Sequence, residues 1–169
     1  MFEHIDSRVP ELWGAHTVKL RHRLPGLDLF ADESLAHLIE TIEPRHMDIS
    51  TMGDKVSTWA HCDRGNMSGA EVLDVVRSGR VWINMMAIEK VEPRFAELLD
   101  DMYAELADAI PGFTTFKRKL GLLISSPSAR VFYHFDVPGQ GLWQIRGRKR
   151  IWIYPPTEPF LRPTNIEDV

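Results

Sequence analysis

Pro111-Gly112 separates two hydrophobic periods, and that change of period limits the folds open to the chain. Before it, Phe95, Leu98, Leu99, Met102, Tyr103 and Leu106 recur at helical spacing behind Pro93, a residue suited to the first turn of a helix. After it, short runs rich in Ile, Val, Phe, Trp and Tyr alternate with turn residues, as consecutive strands do. Four strands are expected there, over 120–125, 130–136, 142–146 and 149–154, the last two closed into a hairpin at Gly147-Arg148.

Two further helices precede them. Asp32 is placed to cap one whose apolar positions are Leu35, Leu38, Ile39 and Ile42, closed by Pro44. Ser68 and Glu71 have the spacing of a capping box, followed by Val72, Val75 and Val76 on one face and Gly79 as the stop. Residues 17–22 and 81–85 read as early strands. With no helical crossover between the late strands, the expectation is an α+β chain built on an antiparallel barrel or jelly roll. Residues 1–115 would supply helices outside that barrel, and residues 116–169 its first strands, all within one domain.

A chain of 169 residues is about one domain and can bury a core without staples. A net charge of −4 argues against a protein that coats nucleic acid, which needs an extended basic surface. Cys62 is the one cysteine, so no disulfide forms within the chain. The opening residues lack a basic segment followed by an apolar one, and no apolar run approaches the roughly 20 residues that span a bilayer. A soluble, cytoplasmic protein is expected.

The triplet His-x-Asp occurs four times, at His4/Asp6, His46/Asp48, His61/Asp63 and His134/Asp136, so context must choose among them. On a strand, His134 and Asp136 share one face with Phe132, while Val131, Tyr133 and Phe135 share the other. Imidazole and carboxylate together suit a divalent first-row metal. His61 falls in a polar stretch, Trp59 to Asn66, that reads as a loop with a solvated or capping histidine. His4 lies near a chain end and His46 at a strand start, and neither is favoured.

Beyond His134, the run Gln144-Ile-Arg-Gly147-Arg-Lys149-Arg-Ile-Trp-Ile-Tyr154-Pro-Pro156 resembles the Jumonji-type cupin oxygenases. That family has a strand ending in His-x-Asp, a strand with Gln, a Gly turn, Lys-Arg, and an apolar strand ending in Tyr/Phe-Pro-Pro. Gly79-Arg-Val-Trp-Ile-Asn84 and Leu122-Leu-Ile-Ser-Ser-Pro127 are similar to a bacterial branch of it, so the likeness covers roughly two-thirds of the chain. The resemblance implies a double-stranded β-helix that binds Fe(II) through His134 and Asp136 and uses 2-oxoglutarate to hydroxylate a C–H bond. Lys149, fifteen positions after His134, falls where such hydroxylases hold the distal carboxylate of 2-oxoglutarate, and Gln140 where an amide meets co-substrate or substrate. An ammonium in a drier pocket binds a dianion more strongly than one at the surface. The substrate class is open between a protein side chain and a small molecule.

The chain departs from the family in one respect: no histidine follows His134, where a late strand should supply the third ligand. The expectations are a chain truncated before that histidine, a partner chain in a homodimer completing the barrel, or replacement by Glu158 or Glu167, which spacing does not favour. A non-catalytic cupin-like binding or regulatory module without a complete metal set is the alternative. Other cupin chemistry, such as an isomerase or sugar-binding protein, calls for extra ligands near His134. Trp82 and Asn84 are expected in the core and Trp143 and Trp152 inside the barrel, with Arg146, Arg148 and Arg150 on a solvated face.

Overall fold

The structure is a computed structural model that describes residues 1–136, 139–162 and 164. Its packing divides the chain into two units, residues 1–130 and residues 131–169.

The first unit is α+β. Its strands are β1 (Phe2–His4), β2 (Arg21–His22), β3 (Met47–Thr51), β4 (Ala60–Cys62), β5 (Val81–Met85) and β6 (Leu122–Ser125). Its helices are α1 (Val9–Leu12), α2 (Asp32–Thr41), α3 (Gly69–Ser78) and α4 (Pro93–Ala109). β1 pairs with β2, and the other four form an antiparallel sheet in the order β4-β3-β5-β6. These strands do not close into a barrel. Strict alternation gives the four-stranded sheet two unlike faces. Ile49, Val81, Ile83 and Met85 are buried on one. Asp48, His61, Trp82 and Asn84 alternate with them on the other, where Asp48 lies opposite Asn84 and Ser50 opposite both His61 and Trp82.

The helices form for local reasons. Ser68 caps α3 in the expected box, its Oγ accepting from Glu71 N–H while the Glu71 carboxylate accepts from Ser68 N–H at 2.7 Å. Gly69 then allows α3 to lie directly on α2, since a Cβ there would stand 2.0 Å from the carbonyl oxygen of Ala36. Pro93 occupies the first turn of α4, which buries Phe95, Leu98, Leu99, Met102 and Leu106, with Phe95 edge-on to Phe30 at 6.0 Å. Ser126 is 2% exposed and ties α3 to β5, donating to the Val76 carbonyl at 2.6 Å and accepting from Val81 N–H at 2.8 Å.

Several sequence expectations need correction here. Ala31, not Asp32, holds the cap position of α2; Asp32 lies in the first turn and pairs with Arg77 at 2.6 Å. The early strand expected over 17–22 is reduced to Arg21–His22. Trp82 and Asn84 are half-buried on the polar sheet face, because alternation assigns the core side of β5 to Val81, Ile83 and Met85.

The largest correction concerns the second unit. Residues 130–136, 142–146 and 149–154, expected as strands, enter no ladder among the described residues, and the hairpin at Gly147 is a bend with φ +70°. Ile151, Trp152, Ile153 and Tyr154 are all exposed, Trp152 by 67%. Trp152, expected as barrel filling, instead lies under the Arg150 guanidinium at 5.9 Å. Apolar alternation yields a stable strand only when neighbours satisfy its backbone and a core takes its apolar face. What orders this unit locally is aromatic: Tyr133 meets Tyr154 edge-on at 5.7 Å, and Tyr154 stacks on Phe160 at 4.9 Å. The Tyr133 hydroxyl donates to the Phe160 carbonyl.

Candidate functional site

His134 and Asp136 come together in the second unit, with Nε2 and Oδ2 3.8 Å apart and both side chains more than half exposed. Nδ1 of His134 lies 2.8 Å from the carbonyl oxygen of Phe132. A carbonyl only accepts, so Nδ1 carries a proton and Nε2 is the ring nitrogen directed toward Asp136. Anchoring of the non-ligating nitrogen by a backbone carbonyl is the usual support of a metal-binding histidine. A metal bonded to both donors at about 2.0–2.2 Å fits the span at a wide angle.

The other expected site residues belong to the same unit. Gln140 is exposed. Lys149 is exposed as a whole residue, yet partial burial around its amine lowers its pKa below the usual lysine value. Glu158 is exposed, and Glu167 lies outside the described residues. Among the described residues, no group of three or more His, Cys, Asp or Glu is arranged to hold a metal ion. One imidazole and one carboxylate are the donor types of two of the three protein ligands in a facial Fe(II) site, but their 3.8 Å span is wider than the near-right angle of that set and must shorten to hold the metal.

A second His-x-Asp pair is better supported than its sequence context suggested. His61 lies on β4, not in a loop, and its Nδ1 stands 2.6 Å from Oδ1 of Asp48 on β3. The other Asp48 oxygen accepts from Ser50 Oγ at 2.9 Å. Nε2 faces the other way, 3.9 Å from Oδ1 of Asp63. Two of the four triplets thus meet across adjacent strands, Asp48 from one beside His61 from the other. The sequence signal was the polar alternation Asp48-x-Ser50, which places both on one strand face. His46 is turned elsewhere, with Nδ1 3.1 Å from the Met86 carbonyl.

No family model, curated protein or solved structure matches this chain. No described helix is long and apolar enough to cross a membrane.

Proposed function

We propose that the chain is a cupin-type, jelly-roll Fe(II)/2-oxoglutarate-dependent dioxygenase that hydroxylates a protein side chain or a small molecule. The observation carrying this reading is the His134/Asp136 pair, with its imidazole anchored through Nδ1 and its Nε2 directed at the carboxylate.

When bound, Fe(II) and 2-oxoglutarate would supply, with O2 as the oxidant, the oxidative decarboxylation that drives hydroxylation, one oxygen atom going to succinate and the other to the substrate. In this reading, His134 and Asp136 contribute one nitrogen and one oxygen donor on one side of the metal, leaving positions for exchangeable ligands. Lys149 carries its charge in partly desolvated surroundings, where an ammonium–carboxylate hydrogen bond is stronger than in open water. It would hold the distal carboxylate of 2-oxoglutarate, and Gln140 would offer an amide beside it.

A non-catalytic cupin-like module is favoured by a different observation, the arrangement of only two candidate donors among the described residues. Anaerobic titration with Fe(II) and 2-oxoglutarate separates the readings through the visible charge-transfer band that forms when both bind one metal. The oxygenase reading expects the band, its loss in His134→Ala and Asp136→Ala, and its persistence in His61→Ala. Lys149→Ala should weaken 2-oxoglutarate binding while leaving metal affinity nearly unchanged. A chain that never develops the band, or keeps it without His134, is not this oxygenase.

A further inference from the structure

The polar face of the four-stranded sheet carries a site that the oxygenase reading does not use. From its geometry we infer a divalent-cation site in which His61 Nε2 and the Asp63 carboxylate are the protein ligands and Asp48 orients the imidazole. It does not rest on the oxygenase reading, since it shares no residue with the His134 pair.

Three observations carry it. The first is direction: Asp48 Oδ1 sits 2.6 Å from His61 Nδ1, and a carboxylate accepts, so Nδ1 donates in this bond and Nε2 is the outward nitrogen, the one a cation would bind in place of any proton there. The second is rigidity. Asp48 is held from behind by Ser50 Oγ at 2.9 Å, and Ser50, 8% exposed, lies opposite His61 in the β3–β4 ladder. A carboxylate behind a histidine raises the basicity of the outer nitrogen and fixes its direction, the outer-sphere arrangement of metal sites. The third is the second donor. Asp63 Oδ1 lies 3.9 Å from Nε2, and its side chain is 95% exposed, so it can swing to complete bonds of about 2.0–2.2 Å to a shared metal.

Asp48 and Asp63 engage opposite nitrogens of one ring, so the three side chains do not converge on a point; the site has two protein ligands, and water fills the rest. His61 and Asp63 are 63% and 95% exposed, so water reaches the remaining positions from solvent. Cys62 is no ligand: its Sγ faces the Ile49 carbonyl at 3.5 Å, and burial pushes its pKa up, away from the thiolate. One imidazole with one carboxylate suits Zn(II), Co(II) or Ni(II) rather than Mg(II) or Ca(II).

The test is calorimetric titration of the tag-free full chain with Zn(II), carried out in a His134→Ala/Asp136→Ala background so that the other pair cannot contribute. Binding is expected to persist at one ion per chain in that background. It should disappear when His61→Gln is added and weaken about 10–100-fold with Asp48→Asn. Imidazole ¹⁵N spectra should show His61 Nδ1 protonated before Zn(II) and a shift of Nε2 after it. No binding in the double variant overturns the site, as does binding that survives His61→Gln or is indifferent to Asp48→Asn.

Discussion

The pairs His61/Asp63 and His134/Asp136 share a triplet and nearly the same spacing, 3.9 and 3.8 Å between Nε2 and the carboxylate, yet differ in what holds them. His61 is fixed by a carboxylate from the next strand of a hydrogen-bonded sheet. His134 is fixed by a carbonyl only two residues away, on a segment that enters no ladder among the described residues. Local geometry can thus be written into three residues, whereas rigidity depends on neighbours distant in sequence. The carriers differ likewise: β5 is buried on every second residue, while residues 151–154 are equally apolar and exposed throughout.

The sharpest way to break this contrast is to cut the same side chain from both regions. Ile83→Ala should lose about 2–5 kcal/mol in chemical denaturation, because Ile83 is 0% exposed and its loss leaves a cavity. Ile153→Ala, at 66% exposed, should change stability by less than about 0.5 kcal/mol. Comparable losses would mean that the second unit is packed against something that orders it as firmly as the sheet.

Gly69→Ala probes how closely the helices of the first unit rely on backbone contact. With a Cβ 2.0 Å from the Ala36 oxygen, α3 must move off α2, at a cost at or above the roughly 1–3 kcal/mol of an overpacked core. A variant melting with the parent would show that this contact is not tight.

Ser126→Ala removes a donor from Val76 and an acceptor from Val81, with an expected loss of about 1–2 kcal/mol. Amide exchange at Val81 should accelerate more than at Met85; uniform exchange would assign Ser126 no local role.

The smallest effect is a pH dependence. Burial lowers the His22 pKa from 6.5, with Glu3 opposing it, so the folded chain binds fewer protons at this site than the unfolded chain does. The associated stability is present above the unfolded value and is lost as pH falls through the lowered folded value. His22→Gln should flatten the decline in stability below about pH 6.5; an unchanged slope would remove His22 as its source.

Helices were the most legible part of the fold, since Ser68, Glu71, Pro93 and the α4 stripe act over one or two turns. β5 was legible for the same reason, its alternation spanning five residues. Strands 130–136, 142–146 and 149–154 were misread because a period of two specifies which residues share a face, not whether a partner strand or core meets that face. The same gap hid Asp48. Nothing within a few residues of His61 signals that a carboxylate thirteen positions earlier will stand behind its ring.

By itself, the sequence determined the cap of α3, Pro93 in the first turn of α4, the amphipathic stripes, the unlike faces of β5 and the nearness of His134 to Asp136. Each of these rests on interactions between residues near in the chain. Only the tertiary structure decided that β3 lies between β4 and β5, so that Asp48 reaches His61, and that Ser126 reaches α3. Those contacts depend on strand order and register, which are selected by the burial of one whole sheet face rather than by any local run of residues.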